Sequence, residues 1–402
     1  MEKLCFETKL NELQYLSFMM KHFIFSLFFF LALKGFSQII PIPDNIDSVD
    51  LTFKGTSINP YNIGYEKDGK LVISGYIDVY GSHYSDTSNS NGYQKFPTIS
   101  PRKDQVGINI LQVSAKYQSA HFRGTATIFG GDCPESSWSG YLNFIQEANV
   151  GFKLYKKLWL DAGFFRTHFG LESIQPRENM TLSLATTTYY EPYFLSGAKL
   201  TWRHSDKLSI QLNAFNSFNQ FVETNKNKAV GLSISYNPTD KIRTTFSTII
   251  CNESVIPSLK QVRWYNNACI IYNSKKVLWG LEANYGYQTN TTLPLLNSSS
   301  FLFSSLFSAK YRFNPCWSTY GRVEFYYDPN EILTGPVENE NHTIVGENLI
   351  GITHGYEFKP IPNSYFRIES RVFKNNGNRI FSFYNSPSYF RLEVLAGIGF
   401  WF

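Results

Sequence analysis

Long apolar runs are the first thing missing. Past residue 37, no stretch of the 402-residue chain is apolar for long enough to cross a bilayer as a helix, which takes about 20 residues. Charge is sparse too. Asp, Glu, Lys and Arg make up 17% of the chain, the formal net charge is +5, and the lack of any basic run argues against a nucleic-acid partner. Of five cysteines, four follow residue 37: Cys133, Cys251, Cys269 and Cys316. Their spacing is not that of a metal site, and no metal or other cofactor is expected. They read as free thiols, with a loop disulfide between Cys133 and Cys251 as the alternative. His121, His168 and His354 stand in no recognisable nucleophile context, which weighs against an enzyme.

What is abundant is aromatic. Phe (35) and Tyr (26) lift the aromatic share to 17%, yet mean hydropathy is −0.23. Apolar and polar residues must therefore alternate finely, as in a sheet with one greasy and one wet face. Near the start, Lys21-His22 precedes an apolar run from Phe23 to Leu33, and Gly35-Phe36-Ser37 supplies small residues at −3 and −1. That is the layout of a cleaved signal peptide. The expected organisation is a signal peptide over 1–37 with Met20 as the natural start, a periplasmic lead-in over 38–70, and one domain over 71–402.

From residue 71 onward, period-two alternation predicts strands of about 10 to 14 residues, among them 71–80, 104–117, 157–168, 188–203 and 388–402. Their connections alternate in length. Tight turns at Gln118-Ser119, Lys156, Ser205, Pro238-Thr239, Ser274-Lys275, Pro315 and Pro360-Ile361-Pro362 are interleaved with long polar segments such as 81–103, 169–187 and 328–346. Charges keep the phase opposite the apolar series. Phe390, Leu392, Val394, Ala396, Ile398, Phe400 and Phe402 oppose Arg391 and Glu393, while Phe366, Ile368 and Val372 oppose Arg367, Glu369 and Arg371. A charge facing mid-bilayer lipid costs about 2–4 kcal/mol, so this phase is enforced. Tyr117, Trp202, Tyr236, Tyr272, Phe313 and Phe358 lie beside the tight turns, where an interfacial aromatic girdle belongs. Together these features predict an all-β fold. It is a closed antiparallel transmembrane β-barrel of about sixteen strands, with short periplasmic turns and long extracellular loops, in the bacterial outer membrane.

The chain ends on an alternating strand closed by Phe400-Trp-Phe402, expected to be the signal read by the barrel-assembly machinery. The run Glu147-Ala-Asn-Val-Gly-Phe-Lys-Leu-Tyr-Lys-Lys-Leu-Trp-Leu-Asp-Ala-Gly-Phe-Phe165, continuing through Thr167-His-Phe-Gly-Leu-Glu172, resembles the putative beta-barrel porin-2 family. So do Ser196-Gly-Ala-Lys-Leu-Thr-Trp202, Ser205-Asp-Lys-Leu-Ser-Ile210 and the run at 227–232. The resemblance covers roughly residues 70 to 402. It implies an outer-membrane porin with no catalytic residues to carry over.

Sixteen strands leave room for an aqueous lumen, so passive diffusion of small hydrophilic solutes is the expected function. Asp78, Arg322, Glu324, Arg367, Glu369, Arg371, Arg391 and Glu393 are the expected pore-lining charges, either touching solute or pairing along the wall. Loop 169–187, with Glu172, Arg177 and Glu178, is the constriction candidate by analogy with sixteen-stranded porins, whose loop after strand five folds inward. Outer-membrane lipids and a possible homo-trimer complete the expected surroundings. Two other classes stay open: a non-conducting barrel anchoring surface-binding loops, and a barrel lipid hydrolase.

Overall fold

The computed structural model describes residues 69–402 except 88, 91, 139, 141, 220–226, 255–259, 292–297, 335, 336 and 384. The expected signal peptide and nearly all of the lead-in lie outside the described residues. Sixteen strands close a single antiparallel barrel. In chain order they are β1 Lys70–Tyr84, β2 Gln105–Gln118, β3 Phe122–Gly130, β4 Ile145–Tyr155, β5 Leu158–Arg166, β6 Phe194–Arg203, β7 Leu208–Phe215 and β8 Ala229–Thr239. The second half comprises β9 Ile242–Asn252, β10 Val262–Asn273, β11 Val277–Thr291, β12 Ser298–Arg312, β13 Trp317–Asp328, β14 Glu347–Phe358, β15 Ser364–Asn375 and β16 Phe390–Trp401. Each strand pairs with its neighbours in sequence, and β1 closes onto β16 through Tyr76 opposite Trp401 and Tyr84 opposite Glu393.

Alternation fixes the two faces. On β16, Ile398 (57% exposed) and Phe400 (42%) face outward, whereas Arg391 and Glu393 are fully buried inside. Leu392 departs from the expected outward series. It is buried at the end of the strand where its amide donates to Ser85 Oγ in the loop after β1.

Side chains stop the short turns. Ser119 Oγ accepts the Phe122 amide at 3.1 Å, Ser205 Oγ that of Leu208 at 3.1 Å, and Asn314 Oδ1 that of Trp317 at 2.9 Å. The turn expected at Pro238-Thr239 falls later, because both residues still belong to β8 after a register shift beyond Tyr236. The strand expected over 188–203 begins only at Phe194. Thr186–Tyr190 forms a short helix, α2, that follows α1 (Asp132–Ser137) in chain order.

The wall is lowest around β5, β6 and β7, with 9, 10 and 8 residues, against 15 in β1, β11 and β12. Gly163 on β5 pairs with Gly197 on β6. They have φ of +132° and +152°, and a Cβ on either would sit 2.2 Å from a neighbouring carbonyl oxygen. Only glycine fits there.

Candidate functional site

The connection from β5 to β6, residues 167–193, lies within the lumen. Arg166 ends β5 and chelates Glu178 through both Nη atoms, doubling the chain back on itself. Burial pushes the Glu178 carboxyl up, but the Arg166 guanidinium outweighs it and holds the group down at about 2. Glu172 then organises the segment internally, accepting the Ala185 amide at 2.6 Å and the Thr181 hydroxyl at 3.2 Å.

Wall carboxylates on the far strands receive the loop backbone. Glu369 accepts the amides of Leu182 (2.6 Å) and Ser183 (3.1 Å), and Glu324 accepts that of Thr186 (2.6 Å). Arginines complete the seat. Arg367 donates to the carbonyls of Pro176, Asn179 and Thr181, and Arg322 to the Ser183 carbonyl and the Glu172 carboxylate. On the other side, Gln175 reaches Gln112 and Gln146, and the Leu171 amide reaches Glu282 at 2.5 Å. Two wall glycines make room: a Cβ on Gly397 would meet Leu182 at 2.6 Å, and one on Gly280 would meet Leu171 at 2.8 Å.

A ladder of alternating charge runs from this loop along the wall. It passes from Glu172 to Arg322 (2.8 Å), Glu324 (3.3 Å), Arg371 (2.7 Å), Glu393 (3.5 Å), Arg391 (2.8 Å) and Asp86 (2.7 Å). All seven are buried. Burying so many charges is tolerable only because each has an opposite neighbour and further hydrogen bonds. A second chain, Lys310–Glu357–Arg367, has contacts of 2.5 and 2.7 Å.

Of the residues singled out from sequence, Arg322, Glu324, Arg371, Arg391, Glu393 and Glu172 come together in the ladder, and Arg367 and Glu369 hold the loop. Asp78 faces inward but apart from the ladder, held by Asn109 Nδ2 and Tyr365 Oη, both at 2.6 Å. Arg177 lies on the lower side of the loop, its guanidinium 4.7 Å from the Tyr76 ring centre. Asp86, Glu357 and Lys310 complete the network and were not among the expected pore-lining charges. Strand phase alone would have found Glu357 and Lys310; Asp86 is in a loop and carries no phase.

Toward the long-loop rim the upper ladder borders an apolar cluster, with Arg371 over the Phe373 ring at 4.0 Å and Arg391 over that of Phe96 at 5.1 Å. Phe96, Tyr265, Tyr326, Leu349, Phe373 and Phe381 belong to one buried cluster, with Phe96 edge-on to Phe373 and Phe381 at 5.0 and 5.2 Å. Among the described residues, no group of His, Cys, Asp and Glu could hold a metal ion, and none of the four cysteines is joined in a disulfide. The alternative of a Cys133–Cys251 disulfide is therefore not what forms: the two thiols are buried in different apolar clusters.

The sequence profile of the family described as "Putative beta-barrel porin-2, OmpL-like" matches residues 70–401, the whole barrel. The chain belongs to this family. Its barrel is that of an outer-membrane protein, and solved porins share the fold. The outer membrane channel DcaP of Acinetobacter baumannii superposes with a TM-score of 0.55 at 9% identity, over 84% of this chain and 99% of the other. Salmonella typhi OmpF, solved with daunomycin, gives 0.54 at 16%, over 84% and 99%. The anion-selective porin from Comamonas acidovorans gives 0.52 at 9%, over 83% and 100%. At such identities the likeness concerns the fold alone. No curated protein matches the porin-2 chain in sequence.

Proposed function

We propose that this porin-2 barrel conducts small hydrophilic solutes across the outer membrane by passive diffusion, and that loop 167–193 is its constriction. The observation that carries the reading is the loop's seat. A polar segment enters a sixteen-stranded lumen and docks on a wall of alternating charge rather than on an apolar one. Opposed charges across a narrow passage order water and disfavour apolar solutes. In the docked arrangement the ladder is packed, so conduction proceeds when the loop shifts. Reconstitution in planar bilayers tests this: stepwise conductance, altered by Arg177→Ala with Glu178→Ala, supports the constriction. Steps that the double variant leaves unchanged count against the loop.

One observation favours a second reading, a non-conducting anchor for surface loops. Buried aromatic side chains cluster beneath the long-loop rim, where they would narrow that end of the lumen. A silent membrane containing correctly folded protein would decide for it. The chain is read as non-catalytic. His121 is exposed in a short turn, His168 packs on Phe169 inside the lumen, and His354 contacts Thr319 on the outer face, so they do not converge. A lipid hydrolase has no support here. The proposal extends to the surroundings: a cleaved leader over 1–37, a lead-in over 38–70, membrane lipids on the outer face, the barrel-assembly machinery at Phe400 and Phe402, and a homo-trimer.

A further inference from the structure

Beneath loop 167–193, at the rim carrying the short turns and the chain terminus, a narrow cleft of about 30 Å³ opens between loop and wall. Short turns face the periplasm in outer-membrane barrels. The charge of the cleft differs from that of the ladder above. Arg177, Lys310, Arg312, Lys359 and Arg367 line it, against one carboxylate, Glu357. Lys310 and Arg367 both pair with that carboxylate, at 2.5 and 2.7 Å. The other three cations make their close contacts to neutral groups, with Glu178 beside Arg177 and Glu357 acting on Arg312 and Lys359 only at longer range. Arg177 Nε donates to Gln175 Oε1 at 2.8 Å, Arg312 Nη1 to the Ser274 carbonyl at 2.8 Å, and Lys359 Nζ lies 5.4 Å from the Trp401 ring centre. Lys359, in the turn after β14, is held below the ordinary lysine value. Burial is the main cause, partly offset by Glu357, and the nearby Arg367 and Arg312 add to it. Positive charge is thus crowded here beyond what the one carboxylate neutralises.

We propose that this cleft is a binding subsite for small anions, such as phosphate, sulfate and short carboxylates, at the periplasmic end of the solute path. The inference rests on the porin reading and names its solute class. A mouth lined by one sign of charge between low-dielectric walls concentrates counter-ions. Guanidinium and ammonium groups suit oxyanions in particular. The loop supplies Arg177 to the cleft, and the wall and turns supply the other four cations.

The test combines two measurements on the full barrel. In planar bilayers under a potassium chloride gradient, the reversal potential should show chloride carrying most of the current. Arg177→Gln with Arg312→Gln and Lys359→Gln should lower the chloride-to-potassium permeability ratio several-fold, and the charge-keeping set Arg177→Lys, Arg312→Lys, Lys359→Arg should restore it. An unchanged ratio overturns the proposal. In detergent, iodide should quench Trp401 more than caesium does, judged against Trp401→Phe, and inorganic phosphate should protect it. Equal quenching by both ions overturns the subsite. A silent bilayer with strong iodide quenching keeps the anion site and removes the porin reading, so the two fail separately. Heat-modifiable mobility on gels verifies that each variant is folded.

Discussion

Arg322 on β13 donates to Glu172 in the lumen loop at 2.8 Å, across 150 residues of sequence, with both groups buried. The pair joins the segment that fills the barrel to the wall that receives it. The remaining rungs of the charge ladder are confined to β13, β15, β16 and the loop after β1.

Weakening that joint should loosen the loop. Glu172→Gln keeps the shape but removes the charge and leaves Arg322 with Glu324 alone. Breaking a buried pair costs about 3–5 kcal/mol when a charge is left uncompensated; the second carboxylate should keep the cost below that range. Higher open probability in single-channel records is expected, with the unfolding midpoint in urea only modestly lowered.

A covalent tether should do the reverse. Thr187 Oγ1 on α2 and Ser304 Oγ on β12 are 2.7 Å apart, so cysteines at both positions are expected to join in a disulfide. Oxidised Thr187→Cys, Ser304→Cys protein should conduct less than wild type, and dithiothreitol should restore the current. Equal currents before and after reduction would exclude loop movement from gating.

Acid should release the loop late. The Glu178 carboxyl is depressed to about 2 from an ordinary 4.5. A depressed folded value means its stabilisation is fully present above the unfolded value and is lost as pH falls toward the folded one. The loop should stay docked at pH 5 and give way between roughly pH 4 and pH 2. Conductance followed against pH should rise in that window, and the rise should be absent in Glu178→Gln.

Gly163→Ala and Gly197→Ala should each destabilise the low side of the wall. Both combine a positive φ with a carbonyl oxygen where the Cβ would go, a conformation costing about 1–3 kcal/mol for other residues. Urea unfolding followed by tryptophan fluorescence would register the loss, and equal midpoints would refute it.

Much of the wall was legible in the sequence because lipid punishes a charge in the wrong phase. Arg367, Glu369 and Arg371 alternate with Ile368 and Phe366, and that rhythm has one solution in a membrane. The position of loop 167–193 was not legible in the same way. Thr181, Ser183 and Asn179 suit bulk water as well as a polar lumen, so composition does not tell the two apart. Thr188, Tyr189 and Tyr190 have high β-propensity, which extended the expected strand over residues that form a helix instead. Asp78 was expected in one pore-lining set with Arg391, since strand phase puts both in the lumen. Strand tilt and a register shift after Asp78 place it beside Asn109 and Tyr365.

The loop's partners also carry a statement about time. Leu182 meets Glu369 across 187 residues and Thr186 meets Glu324 across 138, so the segment emerges long before the strands that hold it exist. Contacts at such separation form late, after their closure entropy has been met. Pairing of β5 with β6 spans far fewer residues, so it is expected to come before the seating of the segment between them. β13 and β15 thus serve two ends at once, completing the sheet and holding the loop.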